Sequence, residues 1–265
     1  MLKVVVCVKA VPDPQQAAKI RIDPATMTLT RGEVPLALNP LDRNAIEAAV
    51  VLKSKVGAQI TALSMGPPGA DAVVRESLAL GADEGVLLSD PDFGGADAFA
   101  TAFTLARGIE KIGAVDLVLC GMASSDGSTE WVGPMLAAFL DFPVVTMVEE
   151  IVECEGRQWK VKASLANGYR LMQVRLPAVL TVTRDLNTPR ALSFSGIVKA
   201  RKRSIERWGR KDLGVSAESV GLRGSPTVVA GLRITESRRN VEMIVGTRKE
   251  KAAQLIAKLV DSGFV

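Results

Sequence analysis

Residues 116–134, DLVLCGMASSDGSTEWVGP, carry the reading that decides the fold. Asp116-Leu117-Val118-Leu119-Cys120 reads as a buried parallel strand, and Trp131 to Phe139 as the opening turns of a helix. Between them lie Gly, Ser, Asp and Thr, residue types that leave backbone N–H groups and hydroxyls pointing outward. A strand, a small polar loop and a helix N-terminus together favour an anion, because unpaired N–H groups and the helix dipole attract negative charge. Nucleotide phosphate is the usual guest. An ordinary βα connection with a Ser/Thr cap has the same spacing, so spacing alone leaves both readings open.

The neighbouring sequence repeats this strand-then-helix rhythm. Strands are expected at Leu2–Lys9, Gln59–Met65, Glu84–Leu88, Asp116–Cys120 and Val144–Val148. Helices are expected at Arg43–Lys55, Ala70–Leu80, Ala96–Lys111 and Trp131–Leu140. Such alternation predicts an α/β fold with a doubly wound, mostly parallel Rossmann-like sheet. The first helix places Ala45, Ile46, Ala49, Val50 and Leu52 on one side and Glu47, Lys53 and Lys55 on another. Pro12-Asp13-Pro14 interrupts the rhythm and implies an excursion with a small hairpin over residues 12–35. After Glu150 short strands follow at Ile151–Cys154, Trp159–Ser164, Tyr169–Arg175 and Ala178–Thr183, with turns at Glu155-Gly156 and Asn167-Gly168. From Asn187 to about Asn240 nothing periodic persists, which reads as an extended arm lying on another chain. A terminal amphipathic helix is expected over Gly246–Leu259. The division is therefore residues 1–186 as the α/β domain and 187–265 as arm and helix.

At 265 residues with 48% hydrophobic and 23% charged side chains, the chain can bury one substantial core. Met1-Leu2-Lys3 runs directly into Val4-Val5-Val6, and no apolar stretch approaches a bilayer span, so a non-transmembrane, cytoplasmic protein is expected. Three cysteines, at 7, 120 and 154, have neither metal nor redox-pair spacing. The chain contains no histidine, which excludes Ser-His-Asp and Cys-His arrangements and every His-ligated metal site. No catalytic side chain and no metal are expected; a bound cofactor is the better source of chemistry. No GxGxxG opens a helix and no Gly-Lys pair exists, so neither the dinucleotide fingerprint nor a P-loop is available. Residues 199–210 hold Lys199, Arg201, Lys202, Arg203, Arg207 and Arg210 against Glu206. This reads as a docking surface for an acidic partner or a solvated segment, with nucleic acid placed last because no recognition motif accompanies it.

Asp126-Gly127-Ser128-Thr129 followed by Val132-Gly133-Pro134 resembles the nucleotide loop of the electron transfer flavoprotein beta subunit. Asn39-Pro40-Leu41-Asp42, Ser64-Met65-Gly66-Pro67 and Pro177 to Val182 resemble the same family in the same order, as do Asp185 to Arg190 and Lys199 to Lys202. The resemblance implies the adenine nucleotide alpha hydrolase-like fold, although the Ser-Gly-Gly loop of related ATP-pyrophosphatase folds is missing. It also implies a site at the carboxyl ends of the strands. The residues implied there are Cys7, Val8 and Lys9; Asn39, Pro40, Leu41 and Asp42; Met65 and Gly66; and Gly121, Met122, Ala123, Ser124, Ser125, Asp126, Gly127, Ser128, Thr129, Glu130, Trp131, Val132 and Gly133. Gly66 would let backbone approach the ligand. Ser128, Thr129 and the N–H groups through Val132 would hold phosphate oxygens. Asn39 and Asp42 would anchor the ribose or adenine side, with Asp42 doubling as an N-cap.

One branch of that family holds structural AMP in the beta subunit and a single FAD in the alpha subunit. The electron-bifurcating branch holds a second FAD at the beta site, where NADH delivers hydride. Phe93-Gly94-Gly95-Ala96-Asp97 with Thr101, and Gly224-Ser225-Pro226-Thr227, resemble the second branch, which adds Ala96, Asp97 and Thr101 to the implied site. Pro14 stands where the AMP branch often has an aromatic. Ser128, Glu130, Trp131 and Ala98 depart from the bifurcating pattern. Trp131 would stack on a ring or pack the helix start.

In the family, residues matching Leu192, Ser193 and Phe194 form a loop that anchors on dehydrogenases, followed here by Lys199, Arg201 and Lys202. Phe194 is either the buried anchor or packed on its own domain. The implied partners are the alpha subunit and an acyl-CoA dehydrogenase-type or other dehydrogenase or quinone reductase. The expectation is an electron-carrying beta subunit with FAD at its own site. The alternatives are a single-flavin carrier with AMP, a stand-alone adenine-nucleotide regulatory module, and an ATP-using enzyme of the same fold.

Overall fold

Val4, Val5 and Val6 are each at most 1% exposed, so consecutive side chains of the first strand, β1 (Leu2–Cys7), enter two different cores. A strand covered on both faces belongs in the middle of a parallel sheet. The computed structural model describes residues 1–19, 21–23, 28–30, 34–231 and 241–264. They form two compact units, Met1–Ala230 and Gly231–Val265.

In the first unit, β1 leads to β2 (Ala10–Pro12), a hairpin of β3 (Arg21–Asp23) and β4 (Thr28–Thr30), and β5 (Leu36–Leu38), which pairs back onto β2. The expected excursion is thus seen in its described parts. Then follow α1 (Pro40–Val56), β6 (Ala58–Met65), α2 (Asp71–Leu80), β7 (Glu84–Leu88), α3 (Ala98–Ile112), β8 (Leu117–Gly121) and α4 (Val132–Leu140). An antiparallel run, β9 (Val144–Glu155), β10 (Gln158–Leu165) and β11 (Gly168–Arg175), precedes β12 (Ala178–Val182), α5 (Phe194–Lys202) and β13 (Glu206–Trp208). One nine-stranded sheet takes the order β11-β10-β9-β12-β8-β1-β6-β7-β13. It is parallel from β9 through β13 and antiparallel at β10 and β11.

The faces are divided evenly. Ile46, Ala49, Val73 and Val74 of α1 and α2 pack on Val4 and Val6, while Leu105 and Ile109 of α3 and Leu136 of α4 pack on Val5 and Cys7. This is the doubly wound α/β arrangement. Among the described residues no helix is long and apolar enough to cross a membrane.

Three expectations are corrected. Val144–Val148 and Ile151–Cys154 are one strand, β9, whose pairing slips register on both sides. The region read as an aperiodic arm from Asn187 contains α5 and β13. Ala200 joins the first core, and β13 covers the open edge of β7. β13, with three residues, is too short to show a period, and α5 buries only Ala200. Glu47, placed with Lys53 and Lys55 away from the apolar side, is only 8% exposed because a distant arginine pairs with it. Residues 232–240 of the expected arm lie outside the described residues. In the second unit α6 (Arg248–Asp261) begins with a Thr247/Glu250 capping box, and Leu255, Ile256 and Val260 are exposed.

Candidate functional site

From β1 the sheet grows through β6 and β7 on one side, then returns to the other side with β8. The switch point is therefore the gap beyond the carboxyl ends of β1 and β8, where open α/β sheets take ligands. Asp42, the third residue of α1, reaches across it. Its carboxylate accepts from the Lys9 N–H at 2.8 Å and the Gly121 N–H at 3.1 Å, tying the two strand ends together. Asp42 is not the N-cap that was expected; Asn39 holds that position, with no side-chain cap bond. Burial pushes the Asp42 carboxyl up to about 7, with the hydrogen bonds it accepts offsetting only part of the shift. It changes charge near neutrality.

Asn39, 1% exposed, uses both ends of its amide on the loop that follows β8. Its Nδ2 donates to the Ala123 carbonyl at 2.9 Å, and its Oδ1 accepts from the Ser125 N–H at 3.1 Å. Lys9 Nζ reaches Ser124 Oγ at 3.2 Å and Asp126 Oδ1 at 2.6 Å. Asn39, Asp42 and Lys9 thus hold the base of the loop. The tip is exposed from Gly127 to Trp131. There φ is 47° at Ser128 and 61° at Glu130, but −89° at Trp131. Left-handed residues alternating with ordinary ones make a concave nest of N–H groups suited to an anion.

Ser128 donates both its N–H and its hydroxyl to the Ser124 carbonyl. Past Ser128 the loop runs through Thr129, Glu130 and Trp131 into the first turn of α4, where Val132 and Gly133 carry an N–H and Pro134 does not. Among the described residues no side chain caps that helix. Trp131 is 61% exposed, so it does not pack the helix start; its face is open for stacking. Gly133 is glycine for packing, since a Cβ there would lie 2.3 Å from Thr181 Cγ2. At Gly66 a Cβ would meet the Ala70 Cβ at 2.9 Å, so this glycine makes room for the next helical turn. Cys7 and Val8 are buried and offer only backbone. Cys7 and Cys120 are register partners, and the Cys7 thiol and burial push the Cys120 thiol up. Among the described residues no cluster of three acids or cysteines could hold a metal.

A second loop leaves the carboxyl end of β7 and is pinned by the region after β13. Asp97 caps α3 through the Ala100 N–H at 3.0 Å. Its other oxygen accepts from the Thr227 N–H at 3.0 Å and hydroxyl at 2.7 Å, and the Asp97 N–H donates to Ser225 Oγ. Burial opposes the charge, yet these bonds hold the Asp97 carboxyl below its ordinary value. Leu222 N–H donates to the Gly94 carbonyl at 2.9 Å. The segments 93–97 and 224–227 are thus brought together, with Ala96 and Thr101 partly buried beside Asp97.

Phe194 is 83% exposed, so it does not pack on its own domain. Leu192 is exposed, and Ser193 caps α5 by accepting from the Gly196 N–H. Lys199, Arg201 and Lys202 are exposed. The rest of the basic run is committed internally: Arg203 to the Ala82 and Asp83 carbonyls, Arg207 to Asp71 and Arg210 to Asp92. Sequence reasoning missed the partners of α1. Glu47 pairs with Arg190 and Asn44 with Asn187, each 143 positions away, and no local pattern announces such contacts.

Residues 26–213 match the Electron transfer flavoprotein domain. Among curated proteins, the CarD subunit of the caffeyl-CoA reductase-Etf complex of Acetobacterium woodii is 43% identical over 266 residues, covering all of both chains. The electron transfer flavoprotein subunit beta of Clostridium acetobutylicum is 42% identical, also over the whole of both. That of Thermoanaerobacterium thermosaccharolyticum is 42% identical over 97% of this chain and 98% of its own.

Proposed function

This chain belongs to the electron transfer flavoprotein family as an electron-transfer subunit of the beta type, and from that premise we propose that its switch-point site holds FAD and accepts hydride from NADH. The observation that carries FAD over AMP is the lock of Asp97 on Ser225 and Thr227. It joins the two segments that resemble the flavin-holding branch and gives the site a second wall that a mononucleotide does not need. Exposed Trp131 adds an aromatic face for an adenine or isoalloxazine ring.

Thr129 and the N–H groups of Val132 and Gly133 hold phosphate oxygens, while Asn39, Asp42 and Lys9 keep the loop in shape beneath them. Bound there, FAD would supply redox chemistry, able to take two electrons together as one hydride and give them up one at a time. The protein's part is to bind, orient and exclude water, and no side chain need act as acid or base. The partner is an alpha subunit carrying another FAD, so electrons can be divided between two acceptors. The exposed apolar residues of α6 support an interface with that subunit. Leu192 and Phe194, with Lys199, Arg201 and Lys202, dock an acyl-CoA dehydrogenase-type or other dehydrogenase or quinone reductase in the cytoplasm. The relative from a caffeyl-CoA reductase complex supports that partner class.

Anaerobic addition of NADH to the purified heterodimer tests the reading. Bleaching of flavin absorbance by NADH alone is expected. Flavin that dithionite reduces and NADH leaves untouched would favour the single-flavin carrier with structural AMP.

A further inference from the structure

The segment between β12 and α5 is fastened to α1 more firmly than a connecting loop requires. Arg190 grips Glu47 as a fork: its Nε lies 2.7 Å from Oε2 and its Nη2 2.9 Å from Oε1, and its own backbone N–H donates to Oε2 at 3.1 Å. Bidentate charge-assisted bonds fix orientation as well as distance. The Glu47 side chain is only 10% exposed, and its bonds with Arg190 hold its carboxyl below the ordinary range despite burial. One turn earlier on α1, Asn44 Nδ2 donates to the Asn187 carbonyl at 2.8 Å, and Asn187 Nδ2 donates back to the Asn44 carbonyl at 3.0 Å. Asn44 is itself buried.

The clamp connects two places. The start of α1 supplies Asn39 and Asp42, which shape the nucleotide loop. Two residues after Arg190 come Leu192, Ser193 and Phe194. The far end of that segment is fastened separately, where Arg75 donates to the Ala200 carbonyl. Between these fastenings Phe194 stands out into solvent.

We propose that Glu47 and Asn44 are positioning residues for electron transfer: through Arg190 and Asn187 they hold the exposed Phe194 segment in fixed register with the helix that organises the nucleotide loop. The inference rests on the reading of Leu192 and Phe194 as the dehydrogenase anchor. A preorganised segment loses less freedom on docking. Releasing the clamp therefore weakens docking while leaving the cofactor in place.

The test uses the whole heterodimer with an acyl-CoA dehydrogenase reduced by its own substrate, comparing Phe194→Ala, Glu47→Gln, Arg190→Gln and the Glu47→Gln/Arg190→Gln double variant. The expected result for Glu47→Gln and Arg190→Gln is a KM for the dehydrogenase raised about tenfold. Nucleotide content should be unchanged and kcat within about twofold, because the transfer geometry once docked is the same. The double variant should be no worse than either single one, since both remove one interaction. Normal KM in the clamp variants alongside a raised KM in Phe194→Ala would overturn the positioning role alone. Loss of nucleotide in parallel with activity would reduce Glu47 to a support for α1 and also overturn it. If the wild type does not transfer to the dehydrogenase, or Phe194→Ala matches it, the docking reading itself fails and the clamp proposal falls with it.

Discussion

The loop after β8 and the loop after β7 both leave the carboxyl end of a parallel strand, yet they are held from opposite directions. The first, residues 121–133, is gripped by Asn39, Asp42 and Lys9, side chains from the two turns that precede it in the switch-point gap. The second, residues 93–97, is gripped by Ser225 and Thr227, which come 128 and 130 positions after their partner Asp97. The first loop is thus held by residues that precede it in the chain, and the second by residues that follow it. The two walls should be separable by mutation.

Asn39→Ala should have the largest effect. It removes both hydrogen bonds of a buried amide, to the half-buried Ala123 carbonyl and the exposed Ser125 N–H, at a loss of about 2–3 kcal/mol. Thermal unfolding should shift down, and the nucleotide should be lost whether it is FAD or AMP. Gly221→Ala attacks the other wall. Gly221 has φ 58°, and a Cβ there would lie 1.9 Å from the Asp92 carbonyl oxygen, so a loss of about 2 kcal/mol is expected. Here the expected outcome is selective: FAD affinity falls while AMP still binds, by equilibrium titration of each nucleotide. Equal loss of both would show that the two walls are one.

Asp42 gives the first loop a pH signature opposite in sign to that of the second, where the depressed Asp97 carboxyl loses its contribution only as pH falls. For Asp42 the folded value of about 7 lies above the ordinary 3.8, so folding favours the protonated form. That contribution is complete below pH 3.8 and is lost as pH rises through about 7, by at most about 1.4 kcal/mol per unit. Asp42→Asn should flatten this slope in a series of denaturation midpoints across that window. The smallest effect belongs to Lys9→Met. Lys9 is 44% exposed, so losing its bond to Asp126 should change stability by less than about 1 kcal/mol, and less again in high salt.

The sequence made some elements readable and hid others for definite reasons. Glu84–Leu88 is a strand at the bounds expected of it, because a short apolar run buried on both faces has few other uses. The hairpin between β10 and β11 closes where Asn167-Gly168 placed it. The polar loop after β8 was recognisable by its residue types, although its geometry was not. Ser128 turns its hydroxyl back on the loop, and Asp42 bridges two strand ends instead of capping α1. What stayed hidden is long-range and polar. Glu47 looked like a polar-side residue of an amphipathic helix until Arg190 arrived, and half of the basic run between Lys199 and Arg210 proved to be internal fastening. Periodicity reports burial by apolar neighbours; it is silent about a buried charge matched from the far end of the chain.

The most direct test of the account is to denature the purified heterodimer and count the nucleotides it releases. Two FAD and no AMP per heterodimer is the predicted result, with the beta-site FAD lost first in Gly221→Ala. One FAD and one AMP would contradict the account, leaving the second wall as structure without a flavin to hold.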